Sequence, residues 1–327
     1  MTAADATDLE ALAARLGPDV DLDRTSIYAY APVHRALLAG DDGELHVVVK
    51  KGLADGAGQR AIAAWQRALA ARGAPAVVPV EAFDVPLAVG DEHWVVYPFV
   101  EGRDWDATPA DIAAAGRLLG LQHAVSLSVT DDDDVAHLPS FSWPEHDAES
   151  VAEDVAGIAA TCADQGIGPD VAARWRAELT AFHATTLPAI AGAGLPSFPV
   201  TLDYRATNLR YGADGPVFVD FENGEVAPRL LDLALAVLLF GHEAPANPGR
   251  LFDDAEWASF AAAYLAAAPP LTTAERALWE TAQTYMRLEW GTWVLTEGTD
   301  ADEWADERRR GLLLDLLTLE PGRFPLP

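Results

Sequence analysis

Lysine is nearly missing from this chain: of its 22 lysine and arginine residues, only Lys50 and Lys51 are lysine. Cysteine is scarcer still. The single Cys162 excludes an internal disulfide and a thiolate zinc cluster, and it fits a reducing interior. Positive charge is short overall, with 51 acidic residues against 22 basic and a net charge of -29. That balance opposes binding to nucleic acid or to an anionic membrane surface and favours cationic partners or simply high solubility. Long apolar runs are lacking too. The most apolar one, LLDLALAVLLF, is short and carries Asp232, and the N-terminus has no basic flank leading into an apolar core. Neither an export signal nor a membrane span is expected, and the expected location is the cytoplasm. No GxSxG run occurs, which removes a serine hydrolase of that type.

What is present is enough for a sizeable core: 327 residues, 50% of them hydrophobic. The front third reads as a short helix from Asp8 to Leu16, apolar runs IYAYAPV and LHVVVK, and an alanine-rich helix from Arg60 to Arg72. The runs AVVPVEAF and HWVVYPFV follow. The links between neighbouring runs are too short for parallel crossovers, so the sheet is expected to be antiparallel. After PFVEGRDW the character changes. Thr108-Pro109-Ala110-Asp111 is a capping box with proline at the first helical position, and helix is expected through Leu121 and beyond. Further helices are expected over Arg174 to Thr185, Leu230 to Phe240 and Glu256 to Ala267, with one long helix from Thr272 to Leu295. The acidic tract Asp131 to Asp134 reads as a solvated loop, Cys162 as a packed helix residue, His123 as a helix residue and His34 as a loop residue.

One β-rich island interrupts the helices: SFPVTLDYRATNLRYGADGPVFVDFENG, with a turn at Ala213-Asp214-Gly215. The expected fold class is therefore α+β and bilobal, with a small antiparallel-sheet lobe over residues 1–98 and a large, mainly helical lobe over 99–327. Clefts between lobes are where small ligands bind. The island carries Asp203, Asn208 and Asp220, all hard oxygen donors. Magnesium takes such ligands one or two at a time and fills the rest of its octahedron with phosphate and water. An aspartate followed five residues later by an asparagine, and later by a metal-binding Asp-Phe, is the kinase arrangement of base and metal ligands. The same pair can also cap turns.

The longer stretch VDFENGEVAPRLLDLA resembles the aminoglycoside phosphotransferase and choline kinase-like family, with its HGDxxxxN loop, its IDF(D/E) hairpin end and its DLA helix start. YPFVEG and LLGLQHA, Leu118 to Ala124, extend the likeness. The resemblance implies a bilobal protein-kinase-like fold and a small-molecule kinase using ATP and magnesium. It implies Asp203 as the base or hydroxyl-orienting residue, Asn208 and Asp220 as metal ligands, and Lys50 as the phosphate anchor reaching from a strand. The backbone at Phe99 and Val100 becomes the adenine contact. Strand alternation allows only one of Lys50 and Lys51 to face a cleft, and Lys50 is the expected one. Asp232 is expected to cap its helix and steady the loop, and Glu101 to lie at the hinge.

The pattern departs from the family at three places. HGD reads Thr201-Leu202-Asp203, the helix GQRAIAAWQRALAARG has no carboxylate to pair with a lysine (Gln59 could bond it instead), and TSIYAYAPVHRALLAG has no glycine for a phosphate-covering loop. These changes support an alternative, a catalytically degenerate kinase-fold protein that binds a nucleotide or small ligand without turnover. For the acceptor, Glu289, Trp290 and Trp293 fall on one helix stretch, where a carboxylate and indoles could hold a cation. A small cationic acceptor such as an amino sugar or a choline-like amine is expected.

Overall fold

The structure, a computed structural model, describes residues 3–28, 31–40, 43–144 and 148–327. Helix α1 (Ala3–Leu16) leads into strand β1 (Asp21–Leu22), then β2 (Val33–Gly40), β3 (Gly43–Lys51), helix α2 (Gly56–Ala71), β4 (Leu87–Val89) and β5 (Glu92–Pro98). These five strands form one antiparallel sheet in the order β1-β2-β3-β5-β4. Alternation divides it. One face carries Val47, Val49, Trp94 and Val96, which pack against Leu9, Leu12 and Leu16 of α1 in a small core. The other face carries Val33, Arg35, Val48 and Lys50 and looks onto a cleft.

The remainder is helical apart from two short ribbons. Helices α3 (Pro109–Ser128), α4 (Ala148–Asp164) and α5 (Pro169–Ala181) run into a π-helical turn at Phe182–Thr186 and the short α6 (Leu187–Ala191). Strand β6 (Ser197–Val200), a 3-10 turn at Ala206–Asn208, the hairpin β7 (Leu209–Gly212) and β8 (Gly215–Phe218), and β9 (Glu225–Pro228) form the island. β6 pairs with β9, and β7 with β8. Helices α7 (Arg229–Leu239), α8 (Asp254–Ala267), α9 (Thr273–Ala277), α10 (Trp279–Thr296), α11 (Ala301–Ala305) and α12 (Glu307–Leu317) complete the chain. No helix among the described residues is long and apolar enough to cross a membrane.

A single large core joins these helices to the island, and α2 contributes Trp65 and Leu69 to it although it belongs to the front of the chain. Helices α3 and α8 meet backbone to backbone. A Cβ on Gly116 would stand 2.3 Å from the Phe260 carbonyl oxygen, and one on Gly120 2.6 Å from that of Tyr264, so no larger residue fits at either place. The start of α7 is fastened by the buried pair Arg229–Glu275. Arg229 Nε donates to Oε1 at 2.6 Å and Nη2 to Oε2 at 2.9 Å, while two Arg229 nitrogens also reach the carbonyls of Pro269 and Pro270. A buried charge with every donor used in this way costs far less than an unpaired one.

Several elements differ from the sequence reading. IYAYAPV is not a strand over its described part: residues 27–28 lie in a bend, residues 29–30 lie outside the described residues, and β2 begins only at Val33. AVVPVEAF forms no strand either; Val77 N–H donates to the Phe218 carbonyl at 2.9 Å and Val80 N–H to the Val96 carbonyl at 2.8 Å, so the segment bridges the island and β5. The expected single helix from Thr272 breaks at Leu278, where φ is -100 and ψ 7, into α9 and α10. His34 lies in β2 and not in a loop. The Thr108 hydroxyl caps α3 by accepting from Asp111 N–H, but the Asp111 carboxylate turns to Arg103, 2.7 Å from each of its Nη atoms, and to the backbone N–H of Asp106, which leaves only half of the box.

Candidate active site

The segment Thr201 to Asn208 is held from below by aromatic packing and by borrowed hydrogen bonds. Tyr204, wholly buried, stacks on Phe218 with ring centres 5.4 Å apart and donates its hydroxyl to the Ala115 carbonyl at 2.8 Å. Ala206 N–H donates to the Phe240 carbonyl at 2.8 Å. Thr201 stands where the resembled family has histidine; its hydroxyl donates to Asp232 Oδ1 at 3.1 Å. The other carboxylate oxygen of Asp232 faces His123 Nε2 at 3.0 Å, and His123 Nδ1 lies 2.9 Å from the Tyr264 hydroxyl. Burial pushes the His123 pKa down against the pull of Asp232, which keeps the imidazole neutral, with Nε2–H donating and Nδ1 accepting. Asp232 thus fastens the loop through a threonine and a histidine from α3. Leu202, the residue before Asp203, has φ +45, a left-handed conformation that a glycine would take without strain.

Asp203 is crowded. Asn208 Nδ2 donates to its carbonyl at 2.9 Å and to its Oδ2 at 3.0 Å, and Asn223 Nδ2 reaches Oδ2 at 3.3 Å. Arg205 lies across both oxygens, with Nε 2.6 Å from Oδ1 and Nη2 donating to Oδ2 at 3.1 Å; its Nη1 pairs with Glu243 at 2.8 Å. Burial raises the Asp203 pKa to about 6, Arg205 opposing and Asp220 adding to the rise.

Lys50 crosses the cleft to the island. Its Nζ lies 2.8 Å from Asp220 Oδ2 and 3.0 Å from Glu222 Oε2. Burial works against the ammonium, and Asp220 and then Glu222 outweigh it, so the lysine pKa is raised. Lys51 points to the opposite face and pairs with Glu92 at 2.6 Å. Glu222 carries no mark of this role in the sequence: the helix after β3 has no carboxylate for Lys50, and the one that pairs with it stands two residues beyond Asp220 in DFEN. Gln59 does not reach the lysine; its Nε2 donates to the Ala54 carbonyl at 3.3 Å.

Lys50, Asn208 and Asp220 line a cleft of about 650 Å3 that also contains Tyr28, Val48, Phe99, Val100, Thr207 and Val219. Val219 N–H donates to the Asn208 carbonyl at 3.0 Å, which sets Asn208 beside Asp220. With its Nδ2 spent on Asp203, Asn208 has Oδ1 left as a donor to a cation. Among the described residues no group of three or more His, Cys, Asp or Glu side chains could hold a metal alone. Two protein oxygens from Asn208 and Asp220 suit a magnesium ion that takes its other ligands from phosphate and water. The hydroxyl of Thr207, buried without a hydrogen-bond partner, is a further polar group at the same wall. At the connector, Phe99 N–H is already given to the His46 carbonyl at 2.9 Å.

A second space of about 370 Å3 adjoins the cleft and shares Glu243, Glu303 and Arg309 with it; Asp300, Asp302 and Asp306 give its walls an acidic excess, part of which Arg308 and Arg309 offset by pairing with Asp306 and Glu303. Glu289, Trp290 and Trp293 line neither space. Trp290 and Trp293 meet edge to face at 6.0 Å, and Trp293 is half exposed.

The chain matches the phosphotransferase enzyme family over residues 34–279. No functionally curated protein matches it by sequence. Among solved structures it is similar to amicoumacin kinase hAmiN in complex with AMP-PNP, Ca2+ and Ami, at 14% identity and TM-score 0.60, covering 91% of this chain and 88% of that one. It is similar to an aminoglycoside phosphotransferase from Alicyclobacillus acidocaldarius at 16% identity and TM-score 0.56, covering 86% and 89%. A choline kinase from Cryptosporidium parvum follows at 11% identity and TM-score 0.53, covering 94% and 95%. At these identities the structures show the kinase-like fold. The family match spans well over half of the chain, so the protein belongs to the phosphotransferase enzyme family, as a small-molecule kinase.

Proposed function

We propose that the protein is a cytoplasmic phosphotransferase that uses ATP and magnesium to phosphorylate a hydroxyl of a small cationic molecule. The observation that carries this reading is the meeting of Lys50, Asp220 and Asn208 at one cleft between the sheet and the island, with Asp203 held behind Asn208 by its side-chain amide. Asn208 and Asp220 would hold the metal, which when bound neutralises phosphate charge. Lys50 would move from its carboxylates onto the phosphates, a task suited to a compact ammonium on a flexible stem. The acceptor hydroxyl would lie against Asp203, which orients it and takes its proton at an oxygen that Arg205 must first vacate.

A cationic acceptor is favoured by the acidic space beside the cleft, whose carboxylates Glu243, Asp300, Glu303 and Asp306 would attract and hold an amine. Glu289, Trp290 and Trp293 remain a second candidate surface for that cation, away from both spaces. A protein that binds nucleotide without turnover is the second reading. It is favoured by Arg205, which covers both oxygens of Asp203.

Magnesium-dependent ATP hydrolysis, compared between wild type and Asp203→Ala, tests the choice. Catalysis predicts a loss of two orders of magnitude or more in the variant, on the scale of removing a positioned base. Equal rates in the two proteins, with ATP still bound, would leave only the second reading.

A further inference from the structure

We infer that Arg35 and Arg210 read the base end of the nucleotide and favour a 6-oxopurine, guanine, over adenine. The inference rests on the nucleotide reading above, keeps a nucleoside triphosphate as donor, and replaces ATP by GTP as the preferred one. In the β2–β3 register Val33 opposes Lys50 and Arg35 opposes Val48, so Arg35 sits on the cleft face two residues from the phosphate anchor. At the rise of a strand that is roughly 7 Å toward the connector. Its Cζ lies 5.0 Å from the centre of the Phe99 ring, where the base is expected. Arg210 enters from the other lobe, two residues after Asn208, and lines the same cleft.

The two guanidiniums line one cleft, Arg35 from the sheet and Arg210 from the island. Arg210 has a carboxylate in Asp104. Arg35 has none among the described residues, in a chain of net charge -29. An excess of cation at one end of a cleft is relieved by a ligand that brings acceptors. Guanidinium nitrogens only donate. Guanine offers two adjacent acceptors, O6 and N7, that fit the guanidinium fork, whereas adenine sets its amino group beside N7 and meets a donor with a donor. The connector contributes less discrimination than it could, because the Phe99 N–H is already used within the sheet.

The test is equilibrium binding of the magnesium complexes of GTP, inosine 5'-triphosphate and ATP to the full chain. GTP and inosine 5'-triphosphate, which share O6 and N7, are expected to bind about tenfold tighter than ATP. Arg35→Leu and Arg210→Leu should each shrink that ratio, with Arg35→Gln as a polar replacement should the leucine variant fold poorly. ATP binding as tightly as GTP, or variants that keep the wild-type ratio, would overturn the inference and leave the nucleotide reading standing. Failure of all three nucleotides to bind would overturn both.

Discussion

Lys50 Nζ and Glu222 Oε2 stand 3.0 Å apart, joining the third strand of the sheet to the end of the island hairpin. The chain thereby supplies from the island the carboxylate that its second helix lacks. Burial raises the Glu222 pKa to about 7, with Lys50 holding it down and Asp220 pushing it further up, so the ammonium is what makes two neighbouring acids tolerable there.

Removing that ammonium separates the two lysines experimentally. Lys50→Ala leaves Asp220 and Glu222 uncompensated and takes away the proposed phosphate anchor, so nucleotide affinity is expected to fall about tenfold or more, with roughly 1–3 kcal/mol of stability lost. Lys51→Ala breaks only a surface pair with Glu92, worth under about 1 kcal/mol, and should leave affinity within about twofold of wild type. Calorimetric titration with nucleotide and chemical denaturation of both variants check this. A larger loss in the Lys51 variant would reverse the assignment.

Leu202 offers a test of backbone strain. Its side chain is buried at 3% exposure, and its φ of +45 lies where a Cβ is penalised. Leu202→Ala and Leu202→Gly both forfeit the buried side chain, but only glycine relieves the backbone. The glycine variant should therefore be the more stable by about 1 kcal/mol, against the ordinary order in which alanine wins by a few tenths to 1 kcal/mol. Urea midpoints of the two variants decide it, and an alanine advantage would refute the strain.

Glu225 gives a pH dependence with a definite sign. It sits in β9 opposite Val200, and burial raises its pKa from 4.5 to about 7. The folded chain then holds a proton more tightly than the unfolded chain, so its contribution is fully present below pH 4.5 and is lost as pH rises through about 7. Glu225→Gln keeps the uncharged shape at every pH. Discounted for partial solvent access, its gain over wild type at pH 8 is about 1 kcal/mol, with little or no gain at pH 4.5. Melting curves at the two pH values measure the difference, and an equal offset at both would exclude Glu225 as the source.

The grouping of the candidate residues was more legible in the sequence than the sheet around them. That Asp203, Asn208 and Asp220 lie together follows from residue type and spacing within one short stretch. Glu222 was visible in DFEN but carried no sign of its partner, since a contact between positions 50 and 222 has no local signature. The same holds for His123, which reads as an ordinary helix residue until α3 and α7 bring it to Asp232. Apolar runs misled where length stood in for pairing: AVVPVEAF has strand composition, yet its backbone makes one bond to the island and one to β5 and forms no strand. The break at Leu278 was hidden because Thr272 and Glu275 announce a helix start without stating how far the helix runs. The acidic space escaped because its walls come from segments some sixty residues apart.

The two lysines, one turned inward and one outward by the pleat of a single strand, also make this chain its own reporter. Amine-directed reagents find only these side chains and the N-terminus, and Lys51 is the more open of the pair, at 34% exposure against 12%. Acylation at the inner position needs a free, neutral amine, so the two carboxylates that hold its charge also shield it chemically, and any ligand that draws Lys50 away from them rewrites the labelling pattern.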